Sequence, residues 1–197
     1  MRTIILLSLM CAAYAVDFDK CVYQGANGGE RIWCDPGWIG TGACGSYPLP
    51  DCVDPLGDPE VRFSTGLLCC EIKNAQPEQD CQWYAGIGNT NTCNSNTRAV
   101  HGICGSDFDN ECAPGMGGGD EEPPVPNTIR CCESDAWVSP DNCEWYGGVS
   151  GEPLECPAGQ VMTGHCSATD EQNCGFGPGN DFDHGIRCCD VIDREIP

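Results

Sequence analysis

The chain has 197 residues, 9 Lys+Arg against 30 Asp+Glu for a formal net charge of −21, and 19 cysteines. From residue 16 onward only 29 of 182 residues are Leu, Ile, Val or Phe, which excludes a large apolar core and, with this charge, would ordinarily describe a disordered chain. Cysteine near 10% reverses that reading, because secreted chains that cannot build enough core are held by cross-links. The charge also excludes nucleic acid as a partner, since phosphate is bound by Lys and Arg.

Met1-Arg2 leads into the apolar run T-I-I-L-L-S-L-M-C-A-A-Y-A, which ends in Ala13-Tyr14-Ala15. A basic start, a short apolar run and a small-x-small end have the form of a secretory signal peptide, residues 1–15, cut after Ala15. The run is shorter than the roughly 20 apolar residues that span a bilayer, and nothing later approaches that length. The mature chain is expected to be secreted, extracellular and without a membrane partner. Cleavage removes Cys11 and leaves 18 cysteines, an even number that allows nine bridges.

Those cysteines fall into three cassettes: Cys21, Cys34, Cys44, Cys52, Cys69 and Cys70; Cys81, Cys93, Cys104, Cys112, Cys131 and Cys132; Cys143, Cys156, Cys166, Cys174, Cys188 and Cys189. The intervening lengths are 12, 9, 7 and 16 residues, then 11, 10, 7 and 18, then 12, 9, 7 and 13, before each adjacent pair. First to third is always 23 positions and first to fourth always 31. A period of about 60 residues marks an internal repeat, with repeats over 16–76, 77–138 and 139–197. Zinc is disfavoured, because its sites need close but not adjacent ligand pairs, often with histidine. The adjacent pairs follow β-favouring approaches (T-G-L-L-C-C, N-T-I-R-C-C, H-G-I-R-C-C), so their two sulfurs point to opposite faces of a strand and reach different partners. Of the fifteen pairings open to six cysteines, twelve remain once a bridge between neighbours is set aside.

Within each cassette, aromatics stand two and three places after the first cysteine: Tyr23, then Trp83 and Tyr84, then Trp145 and Tyr146. Beside a bridge they serve as core; the functional alternative is a sugar-stacking platform of Trp83, Tyr84, Trp145 and Tyr146. A glycine precedes the third cysteine by two residues in every copy (Gly42, Gly102, Gly164), which asks for either a positive φ or close packing. The stretch before each adjacent pair is rich in Gly, Pro and acid and reads as a surface loop without regular structure. No 3.6-residue period stands out, while short β-rich runs of 3–6 residues recur between turn signals. The expected fold is all-β, small and disulfide-rich. Ten-residue connectors (71–80 and 133–142) favour packed repeats over flexibly strung ones. The five residues before Cys21 and the eight after Cys189 could together play the part of a third connector, closing a three-fold ring.

Acidic loops are the other candidate chemistry. Asp107, Asp109 and Glu111, and Asp181 with Asp183, put carboxylates close together, the oxygen-rich setting that weak extracellular calcium sites use. Solvated loops that keep the chain soluble are the plainer reading. His101, His165 and His184 occupy different repeat positions, no G-x-S-x-G occurs, and the frame claims every mature cysteine, so no catalytic residue is assigned and no enzyme is expected. No cofactor beyond weak calcium is implied.

Cys156-Pro157-x-Gly159, Gly164, and Gly179-Asn180-Asp181 leading to Gly185-Ile186-Arg187-Cys188 resemble the vitelline membrane outer layer protein I family. The second cassette ends similarly, in Asn127-Thr128-Ile129-Arg130-Cys131. The resemblance implies a pseudo-three-fold β-prism of Greek-key sheets and a role in an extracellular egg coat with glycan contact. The chain departs from that family in its six cysteines per repeat. The expected function is a structural or adhesive protein of an extracellular matrix or coat, partnered by matrix components, glycans or basic proteins. A carbohydrate-binding module is the first alternative and a small-domain inhibitor or toxin-like effector the second.

Overall fold

The computed structural model describes residues 18–27, 29–45, 52–53, 60–72, 78–85, 90–94, 97–105, 112, 127–133, 137–167, 174–175 and 181–192. The first cassette forms β1 (Phe18–Ala26), β2 (Ile32–Trp33), β3 (Trp38–Gly45), β4 (Cys52–Val53), β5 (Arg62–Phe63) and β6 (Thr65–Ile72). The second forms β7 (Gln79–Ala85), β8 (Thr90–Thr92), β9 (Arg98–Gly105) and β10 (Asn127–Glu133). The third forms β11 (Trp137–Gly148), β12 (Leu154–Glu155), β13 (Gln160–Ser167), β14 (Cys174–Gly175), β15 (Asp181–Phe182) and β16 (His184–Ile192). Among the described residues there is no helix, as expected of an all-β chain.

Three antiparallel sheets carry the fold, each in the same strand order: β1-β6-β3, β7-β10-β9 and β11-β16-β13. The fourth strand of every sheet comes from a different cassette. β2 of the first cassette joins β9 of the second, β8 of the second joins β13 of the third, and β12 of the third joins β3 of the first. The donations therefore run in a closed cycle. One backbone bond recurs at each junction: the second cysteine of a cassette donates its N–H to the neighbouring sheet, Cys34 to the His101 carbonyl, Cys93 to that of Thr163 and Cys156 to that of Thr41, each at 2.8 Å.

The innermost strands β3, β9 and β13 pack on one another, and all but the first residue of each is buried. Burial on both faces explains why these eight-residue strands show no polar–apolar alternation, and why the sequence suggests runs of only 3–6 residues. Gly, Thr and Ala fill positions where a larger side chain would not fit. The turns entering β3 and β13 are of the kind in which glycine supplies a positive φ at the third residue: Gly37 and Gly159 each have φ 83°, with Trp38 N–H bonding to the Asp35 carbonyl and Gln160 N–H to that of Pro157.

Sulfur makes up much of the interior. The main core cluster joins Ala43, Leu67, Val100, Ile103, Ile129, Met162 and Ile186 to five cysteines, Cys34, Cys69, Cys93, Cys131 and Cys188, with Cys156 packed against it. All nine bridges form, in one pattern repeated three times. First pairs with last (Cys21–Cys70, Cys81–Cys132, Cys143–Cys189), second with fifth (Cys34–Cys69, Cys93–Cys131, Cys156–Cys188) and third with fourth (Cys44–Cys52, Cys104–Cys112, Cys166–Cys174). The adjacent cysteines do reach different partners, because Cys69 faces the core and Cys70 the opposite side of β6.

The three bridge classes differ in what they join. First–last bridges link neighbouring strands, with Cα atoms 4.0–4.1 Å apart, and in the first and third cassettes the two cysteines face each other in register. Second–fifth bridges span a seam. Cys34 directly follows β2, which lies in the second sheet, yet it bonds to Cys69 in the first; Cys93 after β8 and Cys156 after β12 repeat the arrangement. Third–fourth bridges pin the excursion that leaves the innermost strand. In the third cassette the stretch expected to lack regular structure carries β15 and the end of β14, paired with each other, whereas in the first β4 and β5 pair on either side of it. The facing residues Cys52 and Phe63, and Cys174 and Phe182, supply the cross-strand contact that holds each pair.

Candidate functional site

Successive residues of a strand point to opposite faces, and this separates the aromatic pairs. Tyr84 lies across from Ile129 and Tyr146 across from Ile186, so both tyrosines stand on the core side, where they pack against the main cluster. Trp83 lies across from Arg130 and Trp145 across from Arg187, on the face turned away from the core. The two halves of each Trp-Tyr pair therefore do not form one platform.

The tyrosine hydroxyls are engaged locally. Tyr84 donates to Gln82 Oε1 at 3.2 Å and accepts from Arg98, whose guanidinium also pairs with Glu133 at 3.5 Å. Tyr146 donates to Glu144 Oε2 at 3.3 Å. Beside it a polar recess is lined by Asn142, Cys143, Glu144, Gln160 and Asp190. Asp190 there accepts from Asn142 at 3.0 Å and from Gln160 at 2.8 Å.

On the outward face of the second sheet, register places Trp83, Arg130, Gly102 and Trp33 in one row across β7, β10, β9 and β2. Trp33 is 52% exposed. The Arg31 guanidinium lies 4.7 Å from the centre of the Trp83 ring, a cation–π contact. The glycine of the row has a steric reason. A Cβ at Gly102 would stand 2.8 Å from the Ile32 carbonyl oxygen and 3.0 Å from Trp33 Cβ; one at Gly164 would stand 2.8 Å from the Asn91 carbonyl oxygen, and one at Gly42 2.5 Å from that of Leu154. The recurring glycine thus admits the donated strand, and none of the three has a positive φ. Close approach, not backbone conformation, is why it recurs.

Trp33 and Arg31 are absent from the aromatic sites expected from sequence. Nothing local marks them: they lie just before the second cysteine, and only the passage of β2 into the second sheet brings them beside Trp83. The acidic candidates Asp107, Asp109 and Glu111 lie outside the described residues. Asp181 is placed in β15, and Asp183 accepts from the Ser150 N–H at 2.9 Å. Among the described residues no cluster of three or more His, Cys, Asp or Glu side chains has the geometry of a metal site.

The three histidines are all buried. Desolvation holds the His165 imidazole down to about 3 and that of His101 down to about 4, and lowers that of His184. His165 and His184 belong to a buried polar group with Thr65, Asn91, Asn127 and Ser167, in which Asn91 donates to the Asn127 carbonyl at 3.2 Å. Asn91 lies on the donated strand β8, in register with His165. Comparison with family models, with characterised proteins and with solved structures finds no match.

Proposed function

We propose that this protein is a secreted structural or adhesive component of an extracellular matrix or coat. Nine disulfides belong to an oxidising compartment such as the outside of the cell, and among the described residues no helix is long and apolar enough to cross a membrane. The observation that carries the reading is the covalent closure of the seams. Each donated strand is tied by a second–fifth bridge to the sheet of its own cassette. A chain locked in this way resists opening from any single edge, as a component of a persistent coat must. The resemblance to the vitelline membrane outer layer family points to the same kind of setting, with a prism-like arrangement of the sheets.

Immunogold labelling of the source tissue tests the assignment, together with N-terminal sequencing of the mature chain. Label concentrated in an extracellular layer, with the chain beginning at Val16, is the expected result. Label confined to cells or to free fluid would overturn it.

A further inference from the structure

The three outward faces have equivalent frames but different chemistry. In the first sheet the row reads Tyr23, Leu68, Gly42 and Glu155; in the third it reads Trp145, Arg187, Gly164 and Thr92. In the second it reads Trp83, Arg130, Gly102 and Trp33, with Arg31 adding a second guanidinium. In a chain with 9 Lys+Arg against 30 Asp+Glu, this is the one row among the described residues that carries two indoles and two arginines. Among the described residues Arg130 makes no ion pair.

The spacing suits an extended ligand. Three inter-strand steps of about 4.8 Å separate the Trp83 and Trp33 backbones, roughly 14 Å in all. Gly102 places no side chain in the row between Arg130 and Trp33, and the Arg31 guanidinium reaches over the Trp83 ring. Indole faces accept the apolar faces of sugar rings, while a planar guanidinium fork matches carboxylate or sulfate oxygens in pairs.

We propose that the outward face of the β7-β10-β9-β2 sheet binds an acidic glycan, a saccharide chain bearing carboxylate or sulfate groups. The exposed Trp33 indole stacks on a sugar ring at one end, and Arg130, with Arg31 held against the Trp83 ring, takes the acidic substituents. The net charge of the chain repels a polyanion at long range, so close contacts at this face supply the affinity, and the fully neutral counterpart of the ligand gains none of the charge-assisted bonds. The site does not depend on the matrix assignment, which immunolocalisation tests separately.

Calorimetry and tryptophan fluorescence on the intact mature protein test the site with three probes: a hyaluronan hexasaccharide (carboxylate only), a heparin-derived hexasaccharide (carboxylate and sulfate) and neutral chitohexaose. Binding of an acidic probe but not of chitohexaose is expected. Arg130→Gln should weaken it about tenfold or more, the loss expected for a hydrogen bond to a charged group, and Trp33→Ala by a similar factor through the lost stacking face, while Glu155→Gln on the first sheet leaves it unchanged. Hyaluronan binding identifies carboxylate as the recognised group, and binding of the heparin fragment alone identifies sulfate. Variants are compared only after intact mass confirms nine bridges, and Arg31→Gln replaces Trp33→Ala should the latter fail to fold. No binding of either acidic probe, equal binding of chitohexaose, or binding that survives the substitutions would overturn the proposal.

Discussion

Two kinds of glycine separate two physical demands at the residue scale. At Gly102 the demand is space, since a Cβ would press on the backbone of β2. Gly102→Val is therefore expected to cost about 1–3 kcal/mol, as overpacking does, and to loosen β2 in particular. At Gly37 the demand is conformation: φ is 83° and nothing lies within 4 Å of a would-be Cβ. Gly37→Ala should cost about 1 kcal/mol through backbone strain alone and leave β2 in place. Urea unfolding measures both costs, and amide exchange at Ile32 and Trp33 distinguishes them. Equal loosening of β2 in the two variants would contradict this division.

The buried histidines give a second prediction at this scale. Folded His165 and His101 stay neutral down to about 3 and about 4, whereas the unfolded chain takes up these protons near pH ~6.5. A folded value below the unfolded one means that protons favour unfolding. The stabilisation is complete above ~6.5 and is lost as pH falls from there toward the folded values. His184 faces the carboxylates of Glu152 and Asp183, and His101 faces Glu78 and Arg130, but desolvation outweighs these neighbours. Between ~6.5 and ~5, before most carboxylates titrate, stability should fall by up to about 1.4 kcal/mol per pH unit for each such histidine. His165→Gln should flatten the profile measured by urea midpoints, and an unchanged slope would argue against the burial account.

At the scale of elements, the bridges rank by what they close. Removing Cys93–Cys131 frees a loop with sequence separation 38, and removing Cys104–Cys112 frees one of 8. Chain entropy alone then gives losses of about 4 and about 2.5 kcal/mol. The first bridge also spans a seam, so the double variant Cys93→Ala/Cys131→Ala should additionally expose the edge of β13 that β8 covers. Thermal unfolding of both double variants, with amide exchange along β13, tests the order. A smaller loss for the seam bridge would refute it. The elements themselves were partly readable: the T-G-L-L-C-C type of approach marks β6, β10 and β16, and adjacent cysteines demand separate partners. The length of β3, β9 and β13 was not readable, because a strand buried on both faces and filled with Gly, Thr and Ala shows no alternation to count.

For the whole molecule, cyclic donation means that no cassette is complete. Residues 77–138 alone would keep β7, β10 and β9 but lack β2, and β8 would have no sheet to join. Produced separately in an oxidising host, this segment should give mixed bridge patterns and poorly dispersed amide spectra, whereas residues 16–197 give one pattern. A cassette that folds alone with its three native bridges would show that donation is dispensable.

The recurring cysteine spacing, the all-β character and the replacement of apolar bulk by sulfur were legible in the amino-acid sequence itself, since spacing and composition are local properties that survive without any knowledge of partners. Tertiary structure alone decided which cassette donates to which, that Trp83 and Tyr84 part to opposite faces, and that Arg31 and Trp33 come to lie beside Trp83. Those relations depend on where a two- or three-residue strand docks. So short a segment carries no periodicity of its own and takes its place only from the sheet edge that receives it.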